Sequence, residues 1–188
     1  MDRRNFTLVP FQANEKKAPD VAITGSVQRE GDLFSIGYEI TGSLSGIEIP
    51  GPDVPSRRYA LWEETCLEFF LGPGNSPRYW EFNLSPSGRW NVFSFESYRK
   101  GMREEPSFEK LPFISQTGPD ALRLHLELEL GVIFPPVPEK KIDVAVSAVL
   151  KMKNGSISYW ALAHPAGQPD FHDRACFKIF LHSEKPKV

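Results

Sequence analysis

The sequence predicts an all-β fold, a two-sheet antiparallel β-sandwich of jelly-roll-like kind, and three observations carry that prediction. Apolar residues recur with period two almost everywhere, and Gly, Pro and Asn punctuate the runs. No stretch shows the 3.6-residue periodicity of a long amphipathic helix. The 188 residues include 14 Phe, 17 Pro and 14 Gly, with aromatics at 12%. Many aromatics among many turn formers suit short strands joined by tight turns.

Taken in order, Val21–Gln28 reads as the first strand. Phe34, Ile36, Tyr38 and Ile40 then alternate with Ser35, Gly37, Glu39 and Thr41, as in a strand with one face in the core. Gly46–Arg58 holds three Pro and two Arg and reads as a loop. Cys66–Leu71 is largely apolar on both faces, which places it centrally in a sheet covered on both sides. The turn Gly72-Pro73-Gly74-Asn75 separates it from Arg78–Leu84, and Pro86-Ser87-Gly88 separates that strand from Arg89–Phe95. A short helical turn is expected near Tyr98–Glu105, then a Pro-rich loop over Glu104–Asp120.

The clearest strand is Leu122–Leu130, where five leucines fall on one face and Arg123, His125, Glu127 and Glu129 on the other. A helix would spread those leucines around its circumference, whereas a strand sorts them. A second Pro-rich loop follows over Gly131–Lys141, and Ile142, Val144, Val146 and Ala148 mark the next strand. Asn154-Gly155 is a two-residue hairpin signal ahead of Ser156–Ala163, and Ala175–Leu181 closes the set at nine strands. One domain over residues 1–182 is expected, with a short flexible tail over 183–188.

A chain of this length buries roughly 70% of its unfolded surface and needs neither disulfides nor metal for its core. Cys66 and Cys176 lie in apolar strand-like runs and read as buried reduced thiols, since a disulfide between them would need an oxidising compartment. The net charge of −2 and the lack of a clustered basic run argue against nucleic acid and against an anionic membrane as partner. No apolar run is long enough to span a bilayer, and the first residues lack the apolar segment of a signal peptide, so the expected location is cytoplasmic. Oligomeric state is not legible. Phosphate-binding loops, dinucleotide fingerprints, the Gly-x-Ser-x-Gly elbow and the His-Glu-x-x-His helix are all absent.

Two segments carry a family resemblance: LWEETCLEFFLGPGNSPRYWEFNLSPSGRWNVFSFESYRKGMR from Leu61 and ISYWALAHPAGQPDFHDRACFKIFL up to Leu181. Together they resemble the DOMON-like group related to the family 9 carbohydrate-binding modules. The match lies in the order of its parts: a Trp before an acidic strand, a Gly/Pro turn, an aromatic-Glu-Phe-Asn strand, a Ser-Pro-Ser-Gly turn and a closing YWAL-HP…DFH block. The resemblance implies a β-sandwich and, by extension, binding of sugars, or of haem in some relatives. In sugar-binding relatives aromatic side chains sandwich the terminal sugar.

The residues themselves point to the same chemistry. A pyranose presents C–H groups on its faces and hydroxyls at its edge, so a site needs flat aromatic surfaces beside polar side chains. Of the aromatics Trp62, Trp80, Trp90, Tyr98 and Trp160, the mid-strand Trp80 and Trp160 read as core. Trp62, after a Pro-rich loop, and Tyr98, at a strand end, are the candidates for stacking. Tyr79, Glu81 and Asn83 share one strand face, and Glu68 stands on a neighbouring strand. With Arg99 or Arg58 nearby, these would bond sugar hydroxyls; the alternative is a solvated sheet face with a cross-strand ion pair.

His164, Asp170 and His172 lie in a Pro/Gly loop that would shape the rim, be merely structural, or hold a metal, although the spacing matches no metal template. No cofactor is expected: calcium at Glu63 and Glu64 has no loop-motif support, and for haem the available ligands are Met102, Met152 and His125. The leading expectation is a non-catalytic module binding a glycan or another small molecule through Trp62, Glu68, Glu81, Asn83, Tyr98, Arg99, His164, Asp170 and His172. Its condition is a groove between Trp62 and Glu81. Its rivals are a protein-interaction domain with a continuous apolar patch, and a small carbohydrate-active hydrolase or epimerase built on the two glutamates or the histidine loop.

Overall fold

Two antiparallel sheets face each other across one main core in the computed structural model of the chain, which describes residues 1–11, 18–134 and 141–183. The strands are β1 (Asp2–Thr7), β2 (Val9–Pro10), β3 (Val21–Glu30), β4 (Leu33–Gly42), β5 (Cys66–Pro73), β6 (Tyr79–Leu84) and β7 (Trp90–Phe95). They continue as β8 (Arg103–Glu104), β9 (Phe113–Thr117), β10 (Ala121–Glu129), β11 (Ile142–Lys151), β12 (Ile157–Ala161) and β13 (Ile179–Leu181). One sheet runs β1-β3-β4-β10-β9, and the other runs β2-β12-β11-β5-β6-β7-β8, with β13 also paired to β11. Among the described residues the only helical pieces are three-residue 3₁₀ turns. The all-β sandwich read from the alternating sequence is the fold observed.

The alternation explains the packing of the five-stranded sheet. Phe34, Ile36, Tyr38 and Ile40 of β4 and Leu122, Leu124, Leu126 and Leu128 of β10 are buried, and the residues between them point outward. The two strands pair in a register that sets Leu124 against Tyr38 and Leu126 against Ile36. Across the core lie Leu67, Phe69 and Leu71 of β5, Trp80, Phe82 and Leu84 of β6, and Val144, Val146 and Ala148 of β11. Phe69 sits between rings of both sheets, 5.5 Å from Phe34 and stacked at 4.4 Å on Phe82. Burying each such side chain contributes about 1.5–3 kcal/mol.

The eight-stranded sheet differs from its partner, because β5, β6, β7 and most of β11 are buried on both faces. Its outer face carries a second, smaller apolar cluster of Phe70, Tyr79, Phe93, Phe95, Ala145, Val149 and Ala161. Phe171, Cys176 and Phe177 cover it from the segment between β12 and β13. Cys66 and Cys176 are buried and unpaired. This loop-covered outer face, unlike the open face of the other sheet, provides the enclosure a ligand site needs.

Several boundaries differ from the sequence reading. The helical turn expected at Tyr98–Glu105 is a tight β-type reversal, with Ser97 bridged to Lys100 and β8 following. The backbone is left-handed at Arg99 (φ 52°) and Gly101 (φ 67°), which ends any helix there. The loop expected over Glu104–Asp120 contains β9, an edge strand whose exposed Ile114, Gln116 and Thr117 hid its pattern. Ala175–Leu181 shortens to β13, because Asp173 caps a 3₁₀ turn at Arg174–Cys176 through its side chain. β1 was not foreseen, since only Phe6 of its six residues is buried. The Pro-rich stretch 135–140 and the expected tail beyond Ser183 lie outside the described residues.

Candidate functional site

Strand alternation sends Glu68 of β5 and Glu81 of β6 to the outer face of the eight-stranded sheet, opposite the phenylalanines of the main core. In the register Glu68 lies beside Asn83 and, on its other side, beside Ser147 of β11; Glu81 lies beside Phe70 and Phe93. The two glutamates are therefore diagonal neighbours at the floor of one cavity of about 480 Å³. Its walls are Trp62, Phe95, Arg99, Met102, Val149, Tyr159, Gln168, Pro169, Phe171 and His172. Trp62 enters from the 3₁₀ turn Leu61–Glu63, whose preceding Ala60 adopts the left-handed backbone at φ 60°.

Both carboxyl groups are nearly closed off from water, at 2% exposure for Glu68 and 5% for Glu81. Glu81 accepts a 3.0 Å hydrogen bond from the Asn83 amide, and Glu68 Oε2 a long 3.4 Å one from Ser147. Glu68 Oε1 is buried with no hydrogen-bond partner. Burial pushes Glu68 well above the usual carboxylate range, the nearby Glu81 charge adds to this, and Ser147 opposes it weakly. Burial likewise lifts Glu81 to about 7, against the Asn83 hydrogen bond and the Arg99 charge. Two acids this close titrate as a pair. The dominant cause is the cost of ionising a group out of contact with water.

A hydrogen-bonded clamp forms the rim. Asp170 accepts from the Tyr98 hydroxyl at 2.5 Å, from Arg99 Nη2 at 2.9 Å and from the His172 backbone N–H at 3.1 Å. Burial alone would raise the Asp170 carboxyl, but the donors Tyr98 and Arg99 outweigh it and hold the group below its usual range. Arg99 also donates its backbone N–H to the Tyr79 hydroxyl at 3.1 Å, which lies 2.9 Å from His172 Nδ1. Tyr79 then donates to Nδ1, so the His172 proton sits on Nε2. Burial and the Arg99 charge depress His172 to about 4, and the imidazole is neutral at neutral pH.

The structure thus brings Trp62, Glu68, Glu81, Arg99 and His172 to the walls and floor of one cavity. Asn83 lies fully buried beside Glu81, with its amide on that carboxylate. Tyr98 does not line the cavity; its ring is half exposed and its hydroxyl is committed to Asp170. His164 stands apart, its Nε2 2.9 Å from the Val9 carbonyl and its ring packed on Phe11 and Phe171. Asp170 holds the Arg99 guanidinium and the His172 backbone by hydrogen bonds, and Tyr98 donates to Asp170. Arg58, the other arginine considered, pairs instead with Glu64 at 3.4 Å.

Sequence reasoning missed Phe95, Met102, Val149, Tyr159, Gln168, Pro169 and Phe171 as cavity walls. Phe95 and Tyr159 were detectable, since each occupies the outward parity of its strand; Met102 and Phe171 come from turns whose course no periodicity reveals. Among the described residues no three His, Cys, Asp or Glu side chains converge as a metal site requires. Of the haem ligand candidates, Met102 lines the cavity, Met152 packs on the main core and His125 stands exposed on the other sheet beside Glu127. No helix among the described residues is long and apolar enough to cross a membrane.

No family model matches the sequence, and no curated protein matches it either. Solved structures do. A protein from Bacteroides uniformis ATCC 8492, provisionally named carbohydrate-binding, superposes with a TM-score of 0.73 at 15% identity, over 97% of this chain and 86% of its own. Two structures of a family 9 carbohydrate-binding module from Caldicellulosiruptor kristjanssonii also align. The glucose complex gives a TM-score of 0.46 at 9% identity over 80% of this chain and 71% of its own. The cellotriose complex gives 0.48 at 8% over 80% and 70%. What the likeness to the Bacteroides uniformis protein shows is the fold, a two-sheet β-sandwich shared over almost the whole chain.

Proposed function

We propose that the protein is a carbohydrate-binding module whose ligand, a sugar or sugar-like molecule, sits in the cavity on the outer face of the eight-stranded sheet. The single observation that carries this reading is the cavity's composition: aromatic walls from Trp62, Phe95, Tyr159 and Phe171 around a floor of two buried carboxyl groups. The volume of about 480 Å³ lies within the range of small-molecule sites. Trp62 and Tyr159 offer faces for the C–H surface of a pyranose, while Glu68, Glu81, Arg99 and Gln168 offer partners for its hydroxyls. The orphaned Glu68 Oε1 would gain the hydrogen bond it lacks.

A glycan-array screen of the purified protein tests this, with a Trp62→Ala, Glu81→Ala double variant as control. The expected result is binding by the wild type that disappears in the variant while its circular dichroism stays that of a folded β protein. Wild-type protein that is folded yet binds no glycan removes the reading.

One observation favours a second reading, glycoside hydrolysis. Two adjacent carboxyl groups, one well above its usual range and one near 7, resemble the acid and base of a glycosidase. Reducing-end analysis of any bound glycan separates the two readings. A binding module returns the glycan intact, and a hydrolase returns shorter products that a Glu68→Gln variant does not make.

A further inference from the structure

The floor of the cavity holds two acidic side chains with no basic partner. No ion pair within 4.0 Å joins Glu68 or Glu81 to a Lys or Arg among the described residues. Arg99, the basic residue on the cavity wall, has its guanidinium on Asp170 at 2.9 Å, so it and Asp170 neutralise each other at the rim. His172 faces the same space without a charge, and the remaining walls are Trp62, Phe95, Met102, Val149, Tyr159 and Phe171 with the uncharged Gln168 and Pro169. Apart from Arg99, held by Asp170, and the uncharged His172, the acid–base groups at the floor are the two glutamic acids. The buried Glu68 Oε1, lacking any donor, is aimed at nothing the chain itself supplies.

A pair of buried carboxyl groups is costly to ionise unless a cation arrives with several hydrogen-bond donors. The aromatic rings around the pair point to the same kind of guest, because their faces carry negative potential and attract an ammonium group. A neutral sugar would use the rings for stacking and the carboxyl groups only as hydrogen-bond partners. A sugar carrying an ammonium group would use both fully: three N–H donors suit the free oxygen of Glu68 and the oxygens of Glu81, while the ring stacks on Trp62.

We propose that the ligand is cationic, an amino sugar whose protonated primary amine sits between Glu68 and Glu81. This rests on the sugar-binding reading above and narrows its ligand class. The binding step balances as an exchange: the ammonium enters and one proton of the carboxyl pair leaves to solvent, so the floor passes from a protonated pair to a singly ionised pair holding a cation. The groups facing that pair are Cys66 on β5, Ser147 on β11, Tyr79 and Asn83 on β6, Arg99 in the Ser97–Lys100 reversal, and His172 in the covering segment. The Tyr38 hydroxyl, reaching from the other sheet, donates to the Glu68 carbonyl rather than its carboxyl group.

Isothermal titration calorimetry at neutral pH, in two buffers of different ionisation enthalpy, tests the proposal. The probes are glucosamine, galactosamine and mannosamine, their parent neutral sugars, their N-acetyl derivatives, and ethanolamine as an amine without a ring. The expected result is that one amino sugar binds at least about tenfold more tightly than its parent and its N-acetyl derivative. Its apparent enthalpy should differ between the buffers because a proton is released. Glu68→Gln and Glu81→Gln, each checked for folding, should erase the preference for the amine.

A parent sugar that binds as well as its amine overturns the cationic ligand and leaves the sugar-binding reading standing. Ethanolamine matching the amino sugars, with no neutral sugar bound, keeps the amine site and overturns the sugar. No binding by any amino sugar overturns the proposal, and the sugar reading then stands or falls on the glycan array. The same amine preference surviving in both glutamine variants would also contradict it.

Discussion

At the scale of single residues, the most unusual feature is a carboxyl pair kept out of water beneath an aromatic cavity. The molecule tolerates it because the protonated forms are cheap to bury and the ionised forms are not. Glu81→Gln keeps the shape and the Asn83 hydrogen bond but removes the charge. The variant should be more stable than the wild type above pH 7 by about 1–3 kcal/mol, measured by urea denaturation. An equally stable or weaker variant would mean that the pair is already solvated or matched. Trp62→Ala makes a different prediction. Trp62 is half-buried against Tyr59 and Phe93 at the rim, so its loss should weaken glycan binding tenfold or more while costing less stability than a core tryptophan.

At the scale of elements, the sheets rest on a few close approaches that leave no latitude. Gly25 of β3 is one: a Cβ there would lie 2.0 Å from the Gly37 carbonyl oxygen of β4 and 2.4 Å from the Phe6 ring of β1. Gly25→Ala should therefore force the strands apart and cost about 1–3 kcal/mol or more, read as a lowered urea midpoint. An unchanged midpoint would show that β1 gives way freely. Phe69→Ala, between Phe34 and Phe82, should cost about 3–5 kcal/mol by the same measurement.

The strands that were legible in the sequence are those with a long, regular sort of apolar and polar residues, β4 and β10 above all. β1 and β9 escaped because an edge strand buries few side chains: Phe6 alone in β1, and none fully in β9. The site was partly legible for a related reason. Glu68, Glu81 and Asn83 are polar residues at strand positions, and their parity places them on one face whatever the loops do. Tyr98 and His164 lie in loops, where parity says nothing. Their side chains turn to Asp170 and to the Val9 carbonyl for hydrogen bonds that only the folded chain brings near.

At the scale of the whole molecule, the two sheets divide the labour. One keeps an open polar face, while the other is covered on its outer side by the segments carrying Trp62, Arg99, Phe171 and His172, and so acquires an enclosed cavity. Titration of that cavity should be visible in global stability, with two opposing signs. Glu68 and Glu81 are both raised above their unfolded values, so their contribution is fully present below about pH 4.5 and is lost as pH rises, for Glu81 through about 7. His172 is depressed, so its contribution is present above about pH 6.5 and is lost as pH falls through about 4. The two carboxyl groups outweigh the single imidazole, so the wild type should lose stability as pH rises from 4.5 to 7. His172→Gln removes the rising branch and should deepen that loss by about 2–3 kcal/mol over the interval, measured by denaturation at both ends. A flat profile in the variant would show that the carboxyl pair does not titrate with folding.

The central claim is that a sugar occupies the cavity between Trp62 and Glu81, and side-chain NMR locates it most directly. Titrating the labelled protein with its best-binding glycan should shift the Trp62 indole, the Met102 methyl and the Val149 methyl signals. The methyls of Leu124 and Leu126 in the main core, and the exposed Ile114 and His125 of the other sheet, should stay unmoved. Shifts concentrated at Ile114 and His125, with Trp62, Met102 and Val149 unchanged, would place the ligand on the other sheet and contradict the account.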